Sequence, residues 1–148
     1  MKTSVVKFST YGILVGFTAF FAGLYFDITT NEIFGYATII ASLVFVYFGI
    51  RHFRDTQNNG KLSFKKGMVI GLLISLFTAI GIAIADYMYT AVINPDFFEE
   101  YAEMMKAKDP TVEIMEFTSG QAALFMLAIV FVIGLIITLI SSLLLQRK

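Results

Sequence analysis

Four long stretches of this chain contain neither a charged residue nor a histidine, and they limit the folds that it can adopt. They cover residues 8–26, 33–50, 67–85 and 117–146. A helix needs about 20 apolar residues to cross the hydrocarbon core of a bilayer, with a range of about 17–25. Backbone polar groups must be paired in lipid, and the stretches lack the alternation of barrel strands. The sequence therefore predicts an all-α, integral membrane four-helix bundle, with spans at about 8–26, 33–50, 67–89 and 121–145.

The composition agrees with a membrane protein and excludes several kinds of functional site. Apolar residues make up 57% of the 148 residues and charged residues 15%, against about 45–50% and about 25% in soluble domains. The chain has no cysteine and a single histidine, His52, which excludes disulfides, thiolate sites and metal sites built on several histidines. No nucleophile–base pair and no phosphate-binding glycine loop is present. We expect a single domain that is not an enzyme and binds no cofactor or metal.

The basic residues are concentrated on one predicted side of the membrane. The N-terminus, the loop after the second span and the C-terminus carry nine of the eleven Lys and Arg residues, and the other side carries ten of the eleven acids. Loops rich in Lys and Arg stay in the cytoplasm. We therefore expect both termini and the 51–66 loop to be cytoplasmic. The first span resembles a signal peptide but has no convincing cleavage site, so we expect it to be retained.

The loop at 51–66, "RHFRDTQNNGKLSFKK", carries much of this basic charge. Asn58, Asn59 and Gly60 are typical of a helix stop, and Ser63 of an N-cap. The favoured interpretation is that the charges set the topology against an anionic inner leaflet. The alternative is a surface that docks a partner protein or lipid, made of Arg51, Arg54, Lys61, Lys65 and Lys66. Nucleic acid is not an expected partner, because orientation alone demands this much positive charge.

This loop and its flanks resemble domain-of-unknown-function family 4199, whose members are small membrane proteins found mainly in Bacteroidota. Members show an apolar helix that leads into "I-[KR]-x-[YF]-R-D", then a glycine turn, "[IL]-[ST]-F" and a glycine-bearing third helix. The matching residues are Ile50, Arg51, Phe53, Arg54, Asp55, Gly60, Leu62, Ser63, Phe64, Gly67 and Gly71. The segments "INPDFFEEY" and "GLIITLISSLLLQRK" are similar to later parts of the family pattern. The resemblance implies a multi-pass protein of the bacterial inner membrane and supplies no activity.

Small residues recur at every fourth position in two of the predicted helices. They are Gly12 and Gly16 in the first helix, and Gly67, Gly71 and Ser75 in the third. This spacing lets helix backbones approach closely in lipid. Packing within the bundle is the favoured interpretation, and a homodimer or the helix of a partner protein is the alternative.

The segment at 95–118 predicts a short extracytoplasmic amphipathic helix between the third and fourth spans. Asn94 is the expected N-cap and Pro95 the first helical residue. The apolar face repeats at helical spacing through Phe97, Tyr101, Met104 and Met105. This face either covers the outer end of the bundle or binds a partner. Thr118 and Gln121 form a capping-box pattern at the start of the fourth span.

One acid, Asp86, is the candidate for a polar site at the membrane. It lies about 20 residues beyond the start of its helix, near the expected level of the outer headgroups. It either lies at the interface or lines a pocket together with Tyr87 and Asn94. The leading hypothesis is a non-enzymatic accessory or scaffold subunit that binds another membrane or envelope protein. The alternative is a small lipid or solute carrier that uses a pocket near Asp86.

Overall fold

A computed structural model describes residues 1–26 and 32–147. Its helices are α1 (Lys2–Tyr25), α2 (Glu32–His52), α3 (Phe64–Met88), α4 (Phe97–Lys108) and α5 (Ser119–Leu145). Helices α2 and α3 each continue into one π-helical turn, Phe53–Gln57 and Tyr89–Ile93. Within the described residues, four helical segments are long and apolar enough to cross a membrane. The chain therefore has the helices of a multi-pass membrane protein, as predicted.

The starts of two spanning helices are capped as the sequence predicts. Ser63 Oγ accepts a hydrogen bond from the backbone N–H of Lys66 at 3.4 Å. At the start of α5, Thr118 Oγ1 accepts from the N–H of Gln121 at 3.3 Å, and Gln121 Oε1 accepts from the N–H of Thr118 at 3.1 Å. The capping box is thus confirmed. It starts a helix of 27 residues, about 40 Å long at 1.5 Å per residue and longer than a hydrocarbon core of about 30 Å.

The start of α4 differs from the prediction. The helix begins at Phe97, and Asp96 occupies the N-cap position without a side-chain hydrogen bond. The carbonyl of Asn94 accepts from the N–H of Phe97 at 3.1 Å, while its side-chain amide donates to Glu100 Oε2 at 3.0 Å. The prediction that Asn94 caps a helix starting at Pro95 is therefore wrong, because a turn comes first and the Asn94 side chain bonds further along α4. Residues 112–118 have no regular secondary structure.

Helix α3 is at the centre of the bundle and packs against α1, α2 and α5. It contacts the antiparallel helix α5 through small residues of both helices. The facing pairs are Gly67 with Ser142, Gly71 with Thr138, and Ser75 with Gly134. A Cβ built on Gly71 would lie 2.5 Å from Thr138 Cγ2. The absence of a side chain at Gly67, Gly71 and Gly134 therefore allows the close approach of α3 and α5.

Gly12 and Gly16 of α1 lie where this helix packs against α2 and α3. A Cβ on Gly12 would lie 2.8 Å from the carbonyl oxygen of Ser42 and 2.8 Å from Thr78 Oγ1. A Cβ on Gly16 would lie 3.1 Å from both Ser42 Oγ and Ile82. The small residues of α1 and α3 therefore pack against other helices of the same chain.

The bundle has two levels that differ in packing. One end carries both termini and the loop between α2 and α3, and we call it the basic end. The other carries α4, and we call it the α4 end. Side chains with no exposed surface lie towards the basic end and at mid-bundle: Leu43, Val46, Ile50, Ile70, Ile74 and Val130. Towards the α4 end residues of the spanning helices line a cavity.

Candidate functional site

The α4 end contains a half-enclosed cavity of about 1210 Å³. All four spanning helices contribute to its wall, through residues that include Phe20 of α1, Gly35 of α2, Asp86 of α3 and Phe125 of α5. Helix α4 and residues 112–118 form its cover. Sites for small molecules usually have about 300–1,000 Å³ and a mostly apolar wall with a few polar groups. The cavity therefore has the size and the lining of a binding site for a sizeable apolar molecule.

Aromatic rings attach α4 to the bundle along one side of this cavity. The ring centroids of Phe20 and Tyr89 are 5.2 Å apart, and those of Tyr89 and Phe97 are 5.5 Å apart, both in edge-to-face geometry. Phe97 stacks on Tyr101 at 6.2 Å. Aromatic pairs at such distances are worth about 0.5–1.5 kcal/mol beyond the area that they bury. They hold α4 across the cavity, although α4 has no fully buried residue.

Asp86 lies in the last turn of α3, on the wall of the cavity. Its backbone carbonyl accepts a hydrogen bond from Thr90 Oγ1 at 3.0 Å. Among the described residues, its Oδ2 atom is buried and has no hydrogen-bond partner. A buried polar atom without a partner is costly. Asp86 therefore lines the cavity and keeps one carboxylate oxygen without a hydrogen-bond partner in the described part of the chain.

The other predicted pocket residues occupy different places. Tyr87 is 48% exposed, and neither Tyr87 nor Asn94 is among the described residues that line the cavity. The Asn94 amide is used by Glu100. The aromatic residue that lines the cavity next to Asp86 is Tyr89, one helical turn further along. A cavity thus adjoins Asp86, and Tyr89 and Phe97 belong to its described lining where Tyr87 and Asn94 do not.

The apolar face of α4 is directed at the cavity. Phe97, Tyr101 and Met105 line it, whereas Met104 is half-buried and lies outside the described lining. Of the two interpretations of this face, the geometry matches the one in which it covers the end of the bundle. Phe20, Phe34 and Phe125 also line the cavity, and sequence reasoning missed them because an aromatic residue in an apolar run looks the same whether it faces lipid, core or cavity.

The predicted basic docking residues lie at the opposite end of the molecule. Lys61 and Lys66 line an open groove of about 910 Å³ that Arg147 also lines. Lys65 is exposed outside this lining, and Arg51 Nε lies 3.6 Å from Asp55 Oδ2. The loop is tied to the end of α5 by two backbone hydrogen bonds of 2.8 Å between Leu62 and Arg147. The exposed basic surface therefore belongs to an ordered loop.

Arg54 is separate from this exposed surface. It is only 9% exposed, and its guanidinium donates to both carboxylate oxygens of Asp55, at 2.6 and 3.2 Å. The side chain that sequence reasoning grouped with the docking residues is thus paired with its neighbour within the π-helical turn after α2. Among residues 1–26 and 32–147, no group of three acids or histidines could hold a metal ion.

Comparison with known proteins adds a family to this geometry. The family model described as "Protein of unknown function (DUF4199)" matches residues 7–147. The chain belongs to this family. No curated protein and no solved structure matches the chain. The family that the sequence resembles is therefore confirmed.

The structure gives a folding role to the loop residues that resemble the DUF4199 pattern. Asn59 and Gly60 adopt positive φ angles of 51° and 75°, a conformation that favours asparagine and glycine and ends a helix. Leu62 is 1% exposed and Ser63 caps α3. In this chain the DUF4199 loop residues therefore turn the chain at the basic end, whereas the cavity lies at the opposite end.

Proposed function

We propose that this DUF4199 protein is a non-enzymatic carrier or binding protein of the bacterial inner membrane, which holds a small lipid or apolar solute in the cavity at the α4 end. The observation that carries the proposal is the cavity itself, about 1210 Å³ in volume and lined by all four spanning helices and by α4. A well-packed bundle of this size has few voids larger than a water molecule. A volume of this size, with an apolar face of α4 over it, is best explained by an occupant.

The position of the cavity supports an occupant that comes from the membrane. The lining residues of α1, α2 and α5 belong to the helical segments that are long and apolar enough to span. A molecule that partitions into the bilayer therefore reaches the level of the cavity without passing through water. The charge asymmetry of the loops supports placing α4 and the cavity on the outer side, with both termini in the cytoplasm.

This orientation is testable with single cysteines, because the chain has none of its own. Lys65 and Lys108 are exposed residues at opposite ends of the bundle, so Lys65→Cys and Lys108→Cys form a matched pair. We expect a membrane-impermeant maleimide to label Lys108→Cys in intact spheroplasts and Lys65→Cys only after lysis. Labelling of Lys65→Cys in intact spheroplasts would reverse the proposed orientation.

A scaffold subunit is the second candidate, and one observation favours it. Lys61, Lys65 and Lys66 are exposed on a loop that is ordered by its bonds to the end of α5. A rigid basic surface is able to dock an acidic partner protein or anionic headgroups. Helix α4 offers no comparable support, because its apolar face lies over the cavity.

The test of the proposed function is purification of the full chain in a mild detergent, followed by mass spectrometry of everything that it retains. We expect one small apolar molecule to be enriched, at close to one per chain, over its share in the total membrane extract. A lipid composition identical to that of the extract would contradict the carrier. A stoichiometric partner protein without an enriched small molecule would favour the scaffold instead.

A further inference from the structure

The charged residues of the cavity are almost all acidic. Those in the described lining are Asp86, Glu99, Glu103, Glu113 and Glu116, with Lys106 as the basic residue. Asp86 lies on the wall in α3, and the four glutamates lie on the cover, in α4 and in residues 112–118. An occupant with a positive charge is attracted to both surfaces, whereas an anion is repelled by both.

The unpaired carboxylate oxygen of Asp86 indicates where the positively charged group of such an occupant lies. Its buried Oδ2 has no partner in the described residues, and the nearby Thr90 hydroxyl donates to a backbone carbonyl instead. A neutral occupant without a donor leaves this atom unpaired. A cationic group placed beside it forms a charge pair in a half-enclosed site, where such a pair is stronger than on the open surface.

The aromatic rings of the cavity wall also favour a positively charged ligand. Tyr89 follows Asp86 by one turn, and its ring lies between those of Phe20 and Phe97, at 5.2 and 5.5 Å. The faces of aromatic rings attract ammonium and related cations. The same rings, together with Met105 and Met126, provide an apolar surface for the rest of the molecule.

We infer that the occupant of the cavity is an amphiphilic cation, whose charged group lies at the Asp86 carboxylate and whose apolar body contacts the aromatic wall and α4. The inference rests on the proposed function and specifies the chemical class of its ligand. It makes the chain selective, because a neutral lipid without a hydrogen-bond donor leaves Asp86 without a partner, and an anionic lipid meets the acids of the lining.

The test uses two probes of the same shape and opposite charge, tetraphenylphosphonium and tetraphenylborate. The full chain is placed in nanodiscs of zwitterionic lipid in a sodium buffer, and saturable binding is measured above that of empty nanodiscs. We expect tetraphenylphosphonium to bind and Asp86→Asn to weaken it by about tenfold or more, a factor that corresponds to about 1.4 kcal/mol. Asp86→Glu, which keeps the charge, should bind the cation more tightly than Asp86→Asn.

Controls separate this inference from the proposed function. Asp96→Asn removes an acid at the same end but outside the described lining, and should bind as wild type does. Nile red, a neutral probe, should still bind Asp86→Asn, which shows that the variant is folded. If tetraphenylborate binds as tightly as tetraphenylphosphonium, or if Asp86→Asn keeps full cation affinity, the inference is overturned while Nile red binding preserves the carrier. If neither the cation nor Nile red binds saturably, the proposed function fails as well.

Discussion

Replacing Gly35 by tryptophan should fill the cavity and remove its occupant. Gly35 lies on the wall in α2, and a Cβ built there meets no atom within 4 Å. The Cβ of a larger residue therefore causes no clash at its point of attachment, and the adjoining cavity offers space for the indole. Glycine is also a poor residue inside a helix, by about 0.5–1 kcal/mol relative to alanine, so folding should be retained. We expect the retained molecule, and the binding of Nile red, to fall by about tenfold or more, a change equivalent to about 1.4 kcal/mol.

Gly120→Trp is the matched control for this variant. Gly120 lies in the first turn of α5, where a Cβ also meets no atom within 4 Å, but it is outside the described lining of the cavity. It should keep the occupant at the wild-type level. Because the chain has no tryptophan of its own, tryptophan fluorescence reports the single indole of each variant. Equal retention in the two variants would show that the occupant does not use this cavity.

The second large effect is expected at Gly12, where an added methyl group should destabilise the bundle. Its Cβ would lie 2.8 Å from the Ser42 carbonyl oxygen and 2.8 Å from Thr78 Oγ1. A backbone carbonyl cannot rotate away as the end of a side chain can, so α1 has to move away from α2. Overpacking of this kind costs about 1–3 kcal/mol. We expect Gly12→Ala to lower the midpoint of thermal unfolding in detergent by about 2–4 °C for each kcal/mol lost.

Gly35→Ala and Gly120→Ala are the controls for this prediction. Both add the same methyl group to a helix at a position where it meets no atom within 4 Å. They should leave the unfolding midpoint unchanged or raise it, because alanine is the better helix former. A midpoint for Gly12→Ala equal to those of the two controls would contradict the close approach of α1 to α2 and α3.

The local features of this fold were readable from short segments of sequence. The capping box of Thr118 and Gln121 and the cap at Ser63 depend on a few neighbouring residues, and the structure forms them. The turn at Asn59 and Gly60 depends on backbone preference in the same way. The cap predicted at Asn94 failed because its amide bonds to Glu100, six residues away, and no local pattern distinguishes these two partners.

The partners of the glycine faces could not be predicted in this way. The stripe of α3 was visible as Gly67, Gly71 and Ser75, but the complementary stripe of α5 contains Thr138 and Ser142, which resemble ordinary polar residues in an apolar run. Small residues spaced by four fit a partner helix of the same chain as well as one of another chain. Only the arrangement of the helices shows that α5 meets this face.

The sequence by itself determined that four long apolar segments are present, that the charges are unequally divided between their ends, and where the helices start and turn. These properties follow from hydropathy, charge and backbone preference, each of which acts within a few residues. Only the tertiary structure decided that Phe20, Gly35, Asp86 and Phe125 share one cavity and that Tyr89 connects α4 to it. These residues are far apart in the chain and become neighbours only when the four spanning helices and α4 pack together.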